Sequence, residues 1–345
     1  MSATTINGEA RVQSALSPRR VGHINLYVRN WLASLQFYST VCGLEEVFRE
    51  TPIKAGFLSS GNTHHDIGFL EARAGPRVGR DGFVQTKDGI GARPEFNHFG
   101  IEMENEQELV DGYRRLQKLG IAIEKLTDSA GLSKSVYLRD PDGVLLQFYA
   151  DMTADWRAYY GGGERLVTGK WDPDDGVPPS RAGLYTRNPI RYDAPRRAFR
   201  PMRVTGGTLY VTDLVHSLEF YNEIAGFHPI HRSADGRVVA LTARGLNRDL
   251  TLIQAGANDA VGLRHFSFLA GTLDELKEGQ RRLADFGVAT EQCLDHDLCR
   301  SVYLRDPDGF LIEFYSDRPA DWAEYLRGGG QWRYPEGRPW DPAAA

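Results

Sequence analysis

SVYLRDPDG stands at Ser135–Gly143, and the same nine residues return unchanged at Ser301–Gly309. An identical run inside one chain marks a duplicated unit, and the unit has to be found before any element is assigned. Outward from each copy the match continues. QFYADMTADWRAYYGGG follows the first and EFYSDRPADWAEYLRGGG the second, and each tail runs on to Trp-Asp-Pro, at Trp171 and at Trp340. Each half then divides again. HINLYVRNWLASLQFYSTVCGL from His23 matches GGTLYVTDLVHSLEFYNEIAGF from Gly206, with Phe-Tyr and the closing Gly in register. A second pair opens at NHFGIEM, with His98, and at RHFSFLA, with His265, and both run into G-x-R-R-L at Gly112–Leu116 and Gly279–Leu283.

In each of the four copies a short alternating strand precedes an amphipathic helix that ends near a Gly, and further strands follow. The expected fold class is α+β, four βαβββ modules in two tandem domains with cupped mixed sheets. The expected plan is a loose tail at 1–18, an N-terminal domain at 19–163 (modules one and two), and a linker at 164–201 rich in Pro, Arg and Asp. A C-terminal domain at 202–330 (modules three and four) and a C-terminal tail at 331–345 complete it. Strand periodicity also predicts faces. Ile24, Leu26 and Val28 share one side of the first strand and His23, Asn25 and Tyr27 the other; Phe99, Ile101 and Met103 oppose His98 and Glu102 in the second module. Helices cover the apolar side, which turns the histidine side toward a cavity.

Composition narrows the function classes. The 345 residues are 41% hydrophobic and 25% charged, with a formal net charge of −5, and no basic excess suits a phosphate backbone. No stretch has the run of apolar residues that a membrane span requires, and the first twenty residues have no apolar core of a secretory signal. Three cysteines, Cys42, Cys293 and Cys299, are too few for a disulfide framework. A cytoplasmic protein without nucleic-acid or membrane partners is expected, with symmetric self-association the default.

The modules compare at two positions, one in the first strand and one in the last. The pairs are His23 and Glu71, His98 and Gln147, Gly206 and Gln254, and His265 and Glu313, at nearly constant spacing. Two His and one carboxylate with open positions suit non-haem Fe(II).

The repeat, the D-P-D-G-x-x-x-E-F-Y ending and these His slots resemble the vicinal oxygen chelate superfamily, which includes glyoxalase and the type I extradiol dioxygenases. The resemblance implies a ring-cleaving dioxygenase acting on a catechol- or hydroquinone-like aromatic diol with dioxygen. It also implies Fe(II), or Mn(II), held between two modules. Modules one and four supply a complete set, His23, His265 and Glu313, similar to the hydroquinone-cleaving branch, whose ligands come from both halves of the chain. Modules one and two offer the alternative, His23, His98, Glu71 and Gln147. Relatives place an acid–base histidine before the last strand, where this chain has His64 and His65. Strand parity favours His65 as the one that reaches the site; the matching positions in module three are Asn247 and Arg248. His296 and Tyr303 resemble the family's H-x-x-x-x-S-x-Y stretch and are expected to move protons and bond oxygen intermediates. Two rivals share the fold: a glyoxalase-like isomerase using His23, Glu71, His265 and Glu313, and a metal-free small-molecule binder.

Overall fold

The computed structural model describes residues 14–79, 82–161, 168–244, 248–318 and 322–343. Asn247 and most of the expected N-terminal tail lie outside them. Each half builds one nine-stranded mixed sheet. In the N-terminal half the first strands of its two modules, Pro18–Val28 and Glu95–Met103, run antiparallel at the centre. Each is flanked in parallel by its own last strand, Ile67–Glu71 and Leu145–Asp151. The C-terminal half repeats the plan with Pro201–Val211 beside Gly262–Ala270 and with Leu250–Gln254 and Leu311–Asp317 outside them. The expected α+β fold of four modules in two curled sheets is what forms.

Local chemistry accounts for the helices. Trp31–Thr40, Glu106–Lys118, Leu214–Glu219 and Leu273–Arg282 each begin after a side chain, Asn30, Asn105, Asp213 or Thr272, that accepts hydrogen bonds from the first-turn amides. Their apolar faces cover the side of the sheets carrying Ile24, Leu26, Val28, Phe99 and Ile101, all fully buried in one core cluster that also takes in Leu209, Phe266 and Phe314 of the other half. The opposite side of each sheet is the concave cup.

The two halves are stapled by the repeat motif itself. Tyr38 donates to Asp306 at 2.8 Å and Tyr221 donates to Asp140 at 2.9 Å, so each DPDG turn reaches the first helix of the other half. Backbone amides of Arg29 and Thr212 add bonds to Asp308 and Asp142. Modules one and four therefore do meet, but on the helical side of the sheets, away from the cups. Burial pushes both Asp140 and Asp306 up to about 6. A carboxyl whose folded value is raised stabilises most below its unfolded value and loses that contribution as pH rises through the folded one. The stability difference between the protein and its Asp140→Asn, Asp306→Asn form should therefore be most favourable to the native sequence near pH 4. It should decline through about pH 6 in urea unfolding, and a flat difference would contradict these values.

The expected tails are tighter than loose ends. Ala15 and Leu16 are buried, and their amides bond Glu223 and Ile224 of the other half. Trp332 and Tyr334, placed in the C-terminal tail by the sequence, are buried as well. Within the linker, Phe199 stacks on Phe314 at 3.9 Å. No helix among the described residues is long and apolar enough to cross a membrane.

Candidate metal centre

The side chains that could hold a metal fall into two cups, one in each half. In the N-terminal cup His23 projects from the central strand and its ring lies over Gly100 of the neighbouring strand. A Cβ at Gly100 would come within 2.0 Å of His23 Nε2, so only glycine leaves room for the ring. Gln147 Oε1 accepts from His23 Nε2 at 3.0 Å, and the Gln147 amide nitrogen donates to Ser135 Oγ at 2.8 Å. That chain of bonds puts the proton of His23 on Nε2 and leaves the Nδ1 lone pair free. Across the floor Asn25 donates to His98 Nε2 at 2.8 Å.

His64 and His65 both reach this cluster. They lie in an irregular bend before the strand Ile67–Glu71, so the strand parity that would send them to opposite faces does not apply. The ring of His65 sits 4.1 Å from that of His23, and the ring of His64 is 4.5 Å from that of His65. One ring nitrogen from each of His23, His64 and His65 falls within 4.8 Å of the others. His64 Nδ1 also lies 3.1 Å from Asp151. Burial, reinforced by the neighbouring imidazoles, holds His23 and His65 well below the usual histidine value; burial and Lys125 take His98 down to about 3. The three imidazoles are neutral at pH 7, the form in which histidine binds a metal. His23 Nδ1, both nitrogens of His65 and His98 Nδ1 are buried with no hydrogen-bond partner among the described residues. Buried polar atoms rarely stay unpaired without a functional reason. Because Asn25 donates to His98 Nε2, the neutral His98 ring carries its proton on Nδ1; the free lone pairs are those of His23 and His65, which fit a divalent ion. Above it opens a cavity of about 100 Å³, walled by Phe57, Leu70, Tyr137 and Tyr160.

The C-terminal cup is built from the matching positions and filled differently. Gly206 stands where module one has His23. At φ +116° it favours glycine, and a Cβ there would meet the Asp249 carbonyl oxygen at 1.8 Å. Arg248 stands where module one has His65, and its guanidinium is ion-paired with Glu313 in the middle of the cup. Glu313 also accepts from Ser267 at 2.6 Å, Ser301 at 2.7 Å and Tyr303 at 2.9 Å, and His265 Nε2 lies 3.3 Å away. Burial would raise the Glu313 pKa, but Arg248 and His265 outweigh it and hold the carboxyl well below its usual value. Tyr334 closes the cup, 3.1 Å from His265 Nε2 and 2.6 Å from Thr208. His296 bonds Tyr303 at 3.1 Å and the Arg333 carbonyl at 2.8 Å.

The residues expected from sequence are thus divided. His265, Glu313, Tyr303 and His296 come together, but His23 belongs to the other sheet and faces the other cup, so His23, His265 and Glu313 do not form one site. Of the alternative set His23, His98 and Gln147 converge and Glu71 does not. Glu71 pairs in register with Val28 at the strand end, and its side chain is partly exposed against Lys54. The residue beside Asn25 is Gly68, as Gln147 is beside Gly100 and Glu313 beside Ser267. Even spacing along the chain mis-set module one because the hydrogen-bonded ladder, not the residue count, decides which side chain faces the cup. Arg248 and Tyr334 escaped the sequence reading. A cation at the position of His65 was a visible signal for Arg248. Tyr334 lies beyond the repeat and carried none.

The family model for the glyoxalase/bleomycin resistance protein/dioxygenase superfamily matches residues 20–148 and 203–314. The chain belongs to this superfamily. Among curated relatives it is 33% identical over 118 residues to a catechol-2,3-dioxygenase of Bacillus subtilis (strain 168), covering 32% of this chain and 40% of that one. It is 30% identical over 112 residues to a trivalent organoarsenical cleaving enzyme of Bacillus sp. (strain MD1), covering 31% of this chain and 68% of the relative. The chain thus matches two-fifths of the length of the first relative. The superfamily fold recurs in the 2,3-dioxygenase LapB of Pseudomonas sp. KL28, with TM-score 0.63, 18% identity, and 95% and 98% of the two chains covered. It recurs too in the Mn(II)-bound glyoxalase of Novosphingobium aromaticivorans, with TM-score 0.63, 14% identity, and 87% and 82% covered.

Proposed function

We propose that this chain is a metal-dependent ring-cleaving dioxygenase that works in its N-terminal cup, on a single-ring aromatic diol with dioxygen. The observation that carries the reading is the buried imidazole cluster under the cavity, with nitrogens of His23, His65 and His98 left unpartnered. His23 is common to every donor set in that cup. The ring of His65 sits 4.1 Å from it, and His98 and Gln147 face it across the floor. When bound there, Fe(II), or Mn(II) in its place, would supply the redox chemistry that lets a closed-shell ring react with triplet dioxygen.

The chain's own residues do the rest. Gln147 and Ser135 orient His23, and Asn25 orients His98, so the donors are held before any ligand arrives. Asp151 beside Nδ1 of His64 leaves its Nε2 to take a proton from a diol hydroxyl and return it later. Phe57, Leu70 and Tyr160 give the ring an apolar wall and keep water back. In the C-terminal cup, by contrast, both oxygens of Glu313 are committed to Arg248, serines and Tyr303. The relative named for catechol dioxygenation supports the reaction class.

The test is anaerobic purification, metal assay, loading with Fe(II), and addition of catechol or hydroquinone while dioxygen uptake and visible absorbance are followed. Oxygen uptake with a coloured ring-opened product is the expected result. A tightly held ion with no uptake on any diphenol would transfer the site to non-redox isomerase chemistry. Failure to bind any divalent ion would leave a small-molecule binder.

A further inference from the structure

The substrate cavity carries a feature that the metal chemistry does not use. Lys125 lines it, and among the described lining residues it is the one lysine or arginine. Its Nζ lies 4.4 Å from the centroid of the Tyr137 ring, and that ring stands edge-on to His98 at 5.7 Å. The ammonium is therefore about one aromatic ring away from the imidazole floor. Among the described residues its one hydrogen bond goes to the Gln85 carbonyl at 2.6 Å, which leaves two donors of the three. Glu50 is the carboxylate that also lines the cavity.

Lysine here is not a relic of the duplication. In the C-terminal half the position opposite the matching tyrosine holds Gln292, which pairs with Tyr303 as Lys125 pairs with Tyr137, and Gln292 is exposed. Lys125 also lines a second, smaller cavity of about 50 Å³, together with Gln85, Thr86 and Asn97, which line both. Lys87 and Arg139 line this second cavity and share the carboxylate of Glu124, at 3.1 and 3.4 Å, so its described lining holds three cations and one carboxylate. Burial brings the Lys125 amine down to about 8, so it stays mostly charged at pH 7 while poorly hydrated, and a charge partner there is worth more than at the surface.

We infer that Lys125 reads a carboxylate on the substrate ring, which makes the substrate a carboxylated aromatic diol whose hydroxyls face the imidazoles. This rests on the N-terminal cup being the diol site. Lys125 is a specificity residue: it holds the ring substituent and takes no part in the oxygen chemistry.

The experiment is calorimetric binding of 3,4-dihydroxybenzoate and of catechol, under argon, to the full chain loaded with Fe(II). It is run on the native sequence, on Lys125→Met and on Lys125→Arg. A charge-assisted bond predicts that the native protein binds the carboxylated diol roughly ten- to a hundredfold more tightly than catechol. The ratio should collapse toward one in Lys125→Met and survive in Lys125→Arg. No preference in the native protein, or an unchanged ratio in Lys125→Met, overturns the inference. Ring cleavage is read separately: oxygen uptake on diols without a carboxylate preference sinks this inference and leaves the dioxygenase reading standing. A preference that depends on Lys125 with no uptake on any diol does the reverse.

Discussion

Replacing His23 with alanine is expected to lower metal affinity and dioxygen uptake by roughly a hundredfold or more, whereas His265→Ala leaves the metal content unchanged. The asymmetry follows from what each histidine faces. His23 belongs to the cup in which its own Nδ1 and both nitrogens of His65 are buried without a hydrogen-bond partner among the described residues, and Gly100 has no side chain so that the His23 ring can lie there. A second-sphere change commonly costs tenfold to a hundredfold in affinity, so loss of the ligand shared by every donor set should cost at least as much, about a hundredfold. His265 sits instead between Glu313, Tyr334 and Thr208. Its removal takes one neighbour from a carboxylate that keeps Arg248 and three hydroxyls. Metal analysis with oxygen uptake on the two variants decides the matter. Retention in His23→Ala and loss in His265→Ala would move the centre to the C-terminal cup.

Arg248→Ala is expected to destabilise the fold by about 3–5 kcal/mol, the usual consequence of removing one partner from a buried ion pair. Glu313 is fully buried, and without the guanidinium its charge would face only neutral hydroxyls and His265. The loss is compounded by packing. The guanidinium lies 4.8 Å from the Tyr315 ring and 5.4 Å from that of Tyr334, with Trp322 and Trp332 just beyond. Pairing the change as Arg248→Met with Glu313→Gln removes both charges and keeps volume, so most of the stability should return. Denaturant unfolding of the two variants against the native protein measures this. Equal losses in both would mean that shape, not charge, holds the cup together.

The two cups show how one duplicated sequence can diverge without altering its backbone plan. Module one offers His23 and His65; module three offers Gly206 and Arg248 at the same places. The first pair leaves uncharged lone pairs, those of His65 lining a cavity, and the second supplies an internal cation to the carboxylate that module four retains. Module two has Gln147 where module four has Glu313, so this slot holds a carboxylate only in the cup where Arg248 pairs it. A neutral donor set would leave a divalent ion its full charge, which suits a diol that binds as an anion.

Much was legible in the residues alone. The repeated SVYLRDPDG, the strand alternation around His23 and His98, and the Asn, Asp and Thr caps are local features, and local geometry follows from them with little help. They determined four βαβββ modules, the apolar faces of their strands, and a histidine face turned toward a cavity. What the tertiary structure alone decided is which modules share a cup. The same DPDG turns that mark the repeat join modules one and four through Tyr38 and Asp306 on the helical side, while ladder pairing joins one with two on the concave side. Sequence spacing cannot separate those two kinds of neighbour, because both are long-range contacts between identical patterns. Register likewise placed Gly68, not Glu71, in the slot beside Asn25, and an irregular bend brought His64 and His65 to one side. Which side chains meet depends on hydrogen-bond ladders and on packing between sheets, and these exist only in the folded chain.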